Sequence, residues 1–417
     1  MRWINKFQAV ADSETMVNTW RKAWLVFAVF ACAALSVSAQ TNAAAATARA
    51  LPVRIGFDGA YGQKTNTAPV AIELGARAAI DDINRAGGVL GGRSLQLVTT
   101  DNKGVSARGR DNFIELAGMT DMVAVLGGKY SPISVEVLPE VHRLKVPLIS
   151  VWGSADGITD NDYKPSFAFR VSLKDEWGVQ AMIERLARRY KAGKACAFLP
   201  NTAWGRSAEG VIKTTAGKHG LRFTAIRWYN WGDKSFADAY KACQASGAQG
   251  LLFVGNEKEA AVLLRDIVQL PPRERMPVVA HWGVVGGVLH ELVGDVLDQV
   301  QLDVIQTFSF VNNTRPRARW LAQWIHQHSE YKTVTAIPSP VGAAQAYDAV
   351  HLLALAINHA KTTHPGQVRD ALEQLPSFSG AVRDYPRAFT SQRHDALGPQ
   401  QMMFVRLSPT GALVPVN

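Results

Sequence analysis

Two short polar stretches, each close behind an apolar run, have the residue types that bind a small anion. They are Tyr130-Ser131 and Trp152-Gly153-Ser154. Ser131-Pro132 is typical of a helix start, since Ser caps helices and Pro suits the first turn. The free N–H groups and the positive dipole end of such a helix attract anions. The chemistry expected here is therefore the binding of a carboxylate or another anion.

Buried strands must position both stretches. Residues 123–126 and 146–150 are short apolar runs of the kind found in parallel strands that are buried on both faces. Open α/β sheets bind their ligands at the carboxyl ends of such strands. We therefore expect the two loops to form half of a ligand cleft, and the rest of the chain to supply the other half.

Strand and helix patterns alternate along most of the chain, with four strand–helix units on each side of Arg170. Such alternation predicts an α/β fold of parallel sheets flanked by helices, here arranged as two lobes. Three extended connections, near Arg170, near Thr307 and over residues 381–404, are expected to form a three-strand hinge. The predicted division is a signal peptide (1–39), a disordered lead-in (40–50), a first lobe (51–170 and 307–372) and a second lobe (171–306 and 373–417).

The composition is that of a soluble globular protein. The chain has 417 residues, of which 47% are hydrophobic and 19% charged, which is enough for two domains. The net charge of +10 is spread along the chain with few long runs. This distribution favours a solvated basic surface over a nucleic-acid site.

The N-terminus predicts export. A basic pair at 21–22 precedes the apolar run 23–37, which is too short to favour a membrane span, and small residues at 37–39 offer a cleavage site before Gln40. We therefore expect a secretory signal peptide and a periplasmic protein. The alternatives are an uncleaved anchor helix, a start at Met16 and lipidation at Cys32.

Cleavage would leave two cysteines, Cys196 and Cys243, in an oxidising compartment. Two cysteines do not make a disulfide framework, and nothing in the sequence places them side by side. Two separate buried thiols are the favoured interpretation.

Motifs of catalysis and metal binding are missing from the sequence. It contains no HExxH, GxSxG or phosphate-loop pattern and no Cys–His metal spacing. The glycine-rich residues 87–92 lie between a predicted helix and a strand, which is the wrong order for a phosphate loop. Asp81-Asp82 is predicted to be a solvated pair on a helix whose apolar face is the core side. We expect no enzyme activity, no cofactor and no metal.

The residues also carry a family resemblance. The chain resembles the type I periplasmic binding proteins, specifically the branched-chain amino acid group of ABC-transporter receptors, over essentially all of residues 53–417. The resemblance implies two Rossmann-like lobes around a hinge, with the ligand trapped between them. The matching motifs are GARAAIDDINRAGGVLGGRSLQLVTTDN, VLGGKYSPIS, VPLISVWGS, FAFRVSLKDEWG, PNTAWGRS, VIQTFSF, AYDAVHLLALAI and RHDALG.

The resemblance also implies a ligand site. In the family, the first-lobe loops bind the ligand carboxylate, and Trp282 lies where amino-acid receptors commonly supply an acid for the ligand's ammonium. A desolvated ammonium would lack its strongest partner here, unless Glu257 substitutes, so the departure argues against an α-amino acid. The predicted ligand-binding residues are Tyr61, Tyr130, Ser131, Trp152, Gly153, Ser154, Trp204, Asn256 and Trp282.

Each candidate has a structural alternative. Ser131 and Ser154 would serve equally as helix caps, and His281 is more simply explained as a hydrogen-bonded loop residue. Trp152 and Trp204 lie in loops rather than on an apolar helical face, so ligand stacking is as natural for them as core packing.

The function expected from the sequence is that of a periplasmic solute-binding receptor of an ABC importer. It would be a monomer that closes on a small amino acid-like or organic acid ligand and presents it to the membrane permease, with no nucleic-acid partner. The first alternative is a ligand-sensing regulatory or receptor domain on the same fold. The second is a secreted α/β enzyme, which would need a nucleophile–base pair that the sequence does not reveal.

Overall fold

A computed structural model describes residues 51–416 of the chain, and strands and helices alternate through most of them. The predicted signal peptide, the lead-in and the alternatives at Met16 and Cys32 lie outside the described residues. The first sheet comprises β1 (Val53–Gly59), β2 (Leu95–Asp101), β3 (Met122–Gly127), β4 (Leu148–Ser150) and β5 (Ala168–Arg170). All its pairings are parallel, in the order β2-β1-β3-β4-β5.

The second sheet has seven strands and is mixed. They are β6 (Lys194–Pro200), β7 (Arg222–Tyr229), β8 (Leu251–Phe253), β9 (Val278–Ala280), β10 (Leu302–Gln306), β13 (Met403–Leu407) and β14 (Leu413–Val416). The order is β14-β13-β10-β9-β8-β6-β7, and the two C-terminal strands are antiparallel. A separate two-stranded hairpin consists of β11 (Phe378–Ser379) and β12 (Asp384–Tyr385).

Twelve α-helices of the described residues flank the sheets. They are α1 (Ala68–Arg85), α2 (Ser106–Ala117), α3 (Ser131–Glu136), α4 (Leu138–Leu144), α5 (Asp175–Arg188), α6 (Ala203–Thr215), α7 (Ala237–Ala245), α8 (Glu257–Val268), α9 (Leu289–Val293), α10 (Pro316–His328), α11 (Pro340–Ala360) and α12 (Pro365–Leu372). Short 3₁₀ turns lie between several of them, including Asp156–Ile158 and Trp282–Val285.

The predicted α/β alternation is confirmed, because each apolar run assigned to a strand lies in one of the two sheets. The helix expected after β3 is broken into α3 and α4 at Val137, which separates them. The hairpin β11–β12 was not predicted, since its strands have two residues each and show no periodicity. The residue boundaries of the two lobes stay a prediction.

Helix α11 is the central helix on the first sheet's side. It packs on α1 so closely that a Cβ at Gly75 would lie 1.9 Å from the carbonyl oxygen of Ala343. α11 is long and apolar enough to cross a membrane, but 94% of its apolar window is buried inside the protein. Its composition therefore reflects a core position.

The expectation of two separate thiols is wrong. Cys196 on β6 and Cys243 on α7 form a disulfide, with their Cα atoms 6.0 Å apart. The two residues are 47 positions apart in the chain, and only the packing of α7 against the second sheet brings them together. The bond is consistent with an oxidising compartment.

Asp81 and Asp82 are partly solvated, with 38% and 35% of their side-chain surface exposed, and they also bond to neighbouring helices. The indole N–H of Trp324 donates to Asp81 Oδ2 at 2.6 Å, and the Tyr347 hydroxyl donates to Asp82 Oδ2 at 3.1 Å. Arg317 lies 3.3 Å from the same Asp82 oxygen. The two carboxylates therefore attach α1 to α10 and α11, which the pattern of α1 alone could not indicate.

Candidate ligand-binding site

The two stretches singled out first in the sequence are joined directly. Ser131 Oγ accepts hydrogen bonds from the backbone N–H groups of Ser154 and Ala155, at 3.1 and 3.2 Å. Ser131 is the first residue of α3, and the start of this helix has no side-chain capping bond, so the alternative of a capping serine does not hold. Its hydroxyl instead fixes the loop after β4 against the loop after β3.

The loop after β4 is also held by the chain connection between the two sheets. Gly153 O accepts the hydroxyls of Ser150 and Ser172, at 3.0 and 2.9 Å. Ser154 O accepts hydrogen bonds from Arg170 Nη1 at 2.7 Å and from the Asp175 backbone N–H at 2.9 Å. Gly153 and Ser154 thus direct their carbonyl groups to the connection.

Arg170 is the residue that organises this connection. Its fully buried side chain pairs with Asp395 at 2.7 Å, and its backbone lies beside residues 394–396 in a parallel bridge. The first and third predicted connections therefore meet at Arg170. This contact gives the RHDALG motif a structural role, since Asp395 neutralises the buried guanidinium.

Two tryptophans meet between the loops of the two sheets. Trp152 follows β4 and Trp282 follows β9; each is 1% exposed, and their ring centroids are 5.5 Å apart at an interplanar angle of 45°. Glycines provide the space, because a Cβ at Gly286 or Gly342 would lie 3.0 or 2.9 Å from the Trp152 ring. The two rings close the space between the first-sheet and second-sheet loops.

A buried ion pair crosses between the same loops. Lys129 Nζ, in the loop after β3, lies 2.6 Å from Glu257 Oε2, at the start of α8, and the two side chains are 2% and 1% exposed. Lys129 also donates to Gly286 O at 3.1 Å, and the Thr65 hydroxyl donates to Glu257 Oε1 at 3.0 Å. The structure thereby places Glu257, which the sequence left open. Lys129 and Thr65 were missed; the one signal for Lys129 is its position between Gly128 and Tyr130.

Trp204 and His281 form one wall of the candidate site, on the side of the second sheet. Trp204 lies in the first turn of α6, and its ring is edge-on to His281 at 4.9 Å. His281 is fully buried and lies 3.1 Å from Asp175 Oδ1 through Nε2. Asn256 precedes α8, and its Oδ1 would lie 3.1 Å from a Cβ placed on Gly283. The loops after β6, β8 and β9 are thus in contact.

Three buried polar atoms of this wall have no hydrogen-bond partner. They are Trp204 Nε1, His281 Nδ1 and Asp175 Oδ2. Buried donors and acceptors are normally paired, and leaving one unpaired costs about 1–3 kcal/mol. Such a cluster indicates a place where a bound molecule or water completes the hydrogen bonding.

Tyr130 and Asn256 face a cavity of about 270 Å³. The Tyr130 hydroxyl donates to Gln63 Oε1 at 2.7 Å, and its ring lies 5.4 Å from that of Trp231. Burial, and then the charges of Glu257 and Glu259, raise the pKa of Tyr130 well above its usual value, so the phenol stays protonated. The cavity has walls from both sheets: Gln63 and Tyr130 on one side, Trp231, Asn256, Glu257 and Glu259 on the other.

One carboxyl group close to these loops titrates near neutrality. Burial, and then the charge of Asp175, raise the pKa of Asp156 to about 7. The backbone N–H of Asp156 donates to Ser207 Oγ on α6 at 3.0 Å, which links the two sides once more. No group of three or more His, Cys, Asp or Glu side chains within residues 51–416 is arranged to hold a metal ion.

Tyr61 is placed differently from the other candidates. Its hydroxyl donates to Glu73 on α1 at 2.6 Å, and its ring is edge-on to Phe57 on β1 at 6.0 Å. These contacts belong to the first sheet and its helix, so Tyr61 is not brought against Trp152 or Trp282. As a ligand contact, it stays a prediction.

Comparisons with known proteins agree with this architecture. A family model described as periplasmic binding protein matches residues 52–412. The leucine-, isoleucine-, valine-, threonine- and alanine-binding protein of Pseudomonas aeruginosa is 25% identical over 301 residues, which cover 72% of this chain and 76% of that protein.

Two solved structures are similar in fold. One is the branched-chain amino acid transporter substrate-binding protein of Streptococcus pneumoniae in complex with isoleucine (TM-score 0.73, 20% identity, 88% of this chain and 99% of that one). The other is an ABC-transporter solute-binding protein of R. palustris in complex with benzoate (TM-score 0.70, 15% identity, 88% of this chain and 96% of that one).

Proposed function

The chain belongs to the periplasmic binding protein family, and from this premise we propose that it is the solute-binding receptor of an ABC importer. Its ligand is a small molecule that carries a carboxylate or an amide, either amino acid-like or an aromatic acid. The receptor works in the periplasm after removal of a signal peptide, and its partners are the membrane subunits of an ABC permease.

The observation that carries the proposal is the set of unpartnered buried atoms on Trp204, His281 and Asp175. A ligand carboxylate or amide oxygen would accept the Trp204 indole N–H and so complete a hydrogen bond that the protein lacks. The rings of Trp152 and Trp282 supply apolar surface beside it, which suits an aromatic or branched body.

The relatives support both ligand classes. The Pseudomonas aeruginosa relative is named for five aliphatic or small amino acids, and the R. palustris protein was solved with benzoate. All these ligands carry a carboxylate, and they differ in whether they also carry an amine.

The proposed mechanism is closure of the two sheets' loops on the ligand. A ligand that contacts both sides binds the closed arrangement more tightly than an open one, so it shifts the equilibrium toward closure. The chain connections near Arg170, near Thr307 and over residues 381–404 act as the hinge. The closed form is the one presented to the permease.

Thermal unfolding against a ligand panel tests the proposal. The panel contains leucine, valine, benzoate, 3,4-dihydroxybenzoate and the corresponding amides. A ligand present at 100 times its Kd stabilises the native protein by about 2.7 kcal/mol, which raises the melting temperature measurably. We expect at least one carboxylate to do so.

Variants locate the binding site. Ser154→Ala and Trp204→Ala are expected to weaken the binding of any ligand that raises the melting temperature in the panel. Trp228→Ala, at an exposed position, is the matched control and should leave that binding unchanged. A flat panel, or a ligand that binds equally well to all three variants, would contradict the proposed site.

A further inference from the structure

The ion pair between Lys129 and Glu257 is unusual for its place. It joins the loop after β3 to the start of α8, and so connects the two sheets at the mouth of the proposed site. Both side chains are at most 2% exposed, which makes it the most deeply buried lysine–carboxylate pair of the described residues. Removing one partner of a buried pair is strongly destabilising, because the other charge is left without compensation.

Both oxygens of Glu257 are occupied by the protein. Oε2 accepts the Lys129 ammonium and Oε1 accepts the Thr65 hydroxyl, both from first-sheet loops. Glu257 also lies in the first turn of α8, where the helix dipole favours a negative charge. Each oxygen of the Glu257 carboxylate therefore has a partner within the protein while Lys129 stays in place.

Of the other acidic groups nearby, Asp175 is engaged by His281 through Oδ1 at 3.1 Å. Its Oδ2 has no partner and belongs to the wall formed by Trp204 and His281 rather than to the Lys129–Glu257 pair. Glu259 is also buried. Its burial, together with the charge of Glu257, raises its pKa, so a second negative charge beside Glu257 is disfavoured. A ligand ammonium entering here would have to displace Lys129 and leave two cations beside one carboxylate.

We propose that Lys129 is a specificity-determining residue: its ammonium fills the position in which Glu257 would otherwise receive the amine of a ligand. The inference rests on the proposed function and narrows it, since the preferred ligand then has a carboxylate but no amine. Lys129 reaches Glu257 from the first-sheet side, so the same pair also holds the loops of the two sheets together.

The first test compares two ligands that differ in the amine alone, leucine and 4-methylpentanoate. The parent protein is expected to bind 4-methylpentanoate at least tenfold more tightly than leucine. Lys129→Ala, which exposes Glu257, is expected to reverse or abolish that preference. Tighter binding of leucine by the parent would overturn the inference while leaving the receptor function intact; a protein that binds no carboxylate at all would overturn the receptor function.

The second test needs no ligand of the receptor. Lys129→Ala removes the part of the side chain that corresponds to propylamine, so propylammonium is expected to fill the gap and raise that variant's melting temperature saturably, by about 2 °C or more. The parent and the double variant Lys129→Ala/Glu257→Gln are the controls and should not respond. An equal response of all three proteins, or none in a folded Lys129→Ala, would overturn the inference.

A mirror variant covers the case in which Lys129→Ala does not fold. Glu257→Ala leaves the Lys129 ammonium unpaired and removes the part of the side chain that corresponds to acetate. Acetate is then expected to raise the melting temperature of Glu257→Ala and to leave that of the parent unchanged, with propionamide as the uncharged control. Failure of acetate to stabilise Glu257→Ala specifically would contradict the pairing on which the inference depends.

Discussion

Trp204 carries an indole N–H that is buried and unpaired in the ligand-free protein. Trp324 is its natural counterpart, because its indole N–H donates to Asp81 at 2.6 Å. Both side chains are mostly buried, so replacement of either by Phe removes the donor and keeps an aromatic ring. Comparing the two Phe variants therefore distinguishes an indole N–H that binds a ligand from one that stabilises the fold.

Trp204→Phe is expected to change the free energy of unfolding of the ligand-free protein by less than about 1 kcal/mol, since no hydrogen bond is lost. The same variant should weaken ligand binding roughly tenfold, the value of one hydrogen bond to a charged acceptor. Denaturant unfolding and calorimetric titration measure the two quantities. Trp324→Phe should behave in the opposite way, losing roughly 1–3 kcal/mol of stability and no affinity. Similar profiles for the two variants would contradict this assignment.

For single residues, the sequence predicted which of them lie in the loops after the strands better than it predicted their hydrogen-bond and ion-pair partners. Ser131, Trp152 and Ser154 were singled out because each lies in a loop that follows an apolar strand, and the structure joins those two loops. Lys129 was missed because a lysine in a loop is ordinarily solvated, and only the approach of Glu257 from a distant helix explains its burial. For the Ser131 hydroxyl the sequence offered a ligand contact or a cap of its own helix, whereas the structure pairs it with a backbone N–H 23 residues away.

At the scale of elements, helix α11 shows what periodicity cannot reveal. Its composition is mostly apolar, yet it carries two buried ionisable groups whose partners lie on other elements. Asp348 accepts the N–H groups of Ala381 and Val382 and so holds the segment next to the unpredicted hairpin. His351 lies 3.3 Å from Asp82 of α1 and 3.4 Å from Arg317 of α10. Strand and helix positions follow from local pattern; these cross-element contacts do not.

His351 gives α11 a predicted pH dependence. Burial, and then the positive charge of Arg317, lower the pKa of His351 to about 4 from 6.5, although Asp82 opposes this. The neutral form is favoured in the folded protein, so its stability contribution is complete above pH 6.5 and is lost as the pH falls toward 4. The loss over that interval is roughly 3 kcal/mol. His351→Gln should remove it.

Urea unfolding of the parent and of His351→Gln at pH 7, 5.5 and 4.5 measures this effect. The difference in unfolding free energy between the two proteins is expected to shrink or change sign as the pH falls, because the parent alone loses the histidine's contribution. All other titrating groups are shared, so they cancel in the comparison. Parallel pH profiles would mean that His351 is not held neutral by its surroundings.

At the scale of the whole molecule, the loops of the two sheets contact each other directly. The Thr67 N–H donates to Gly286 O at 3.2 Å, the Val288 N–H donates to Thr65 O at 3.0 Å, and Lys129 reaches the same Gly286 carbonyl. The arrangement of two sheets was predictable from the strand–helix alternation. The closeness of their loops was not, because it depends on small residues at single points, above all Gly286.

Gly286→Ala is expected to hold the two sides apart. Its Cβ would lie 2.7 Å from Lys129 Cε and 3.0 Å from Trp152 Cζ2, and the paired lysine cannot move aside without breaking its bond to Glu257. Overpacking of this kind typically costs about 1–3 kcal/mol in the closed arrangement and nothing in an open one. Since ligand affinity falls by the same free energy, the Kd should rise roughly 5- to 150-fold. The radius of gyration of the ligand-free protein in X-ray scattering should increase as well.

Gly157→Ala provides the control, since a Cβ there meets no atom within 4 Å although the residue belongs to the same loop as Trp152. It should leave both the scattering and the affinity unchanged. If Gly286→Ala lowered the melting temperature without changing the radius of gyration or the Kd, its glycine would serve packing alone, and closure would not depend on the contact between Gly286, Lys129 and Trp152. A coupled change in both quantities would instead tie ligand affinity to the approach of the two sheets at Gly286, Lys129 and Trp152.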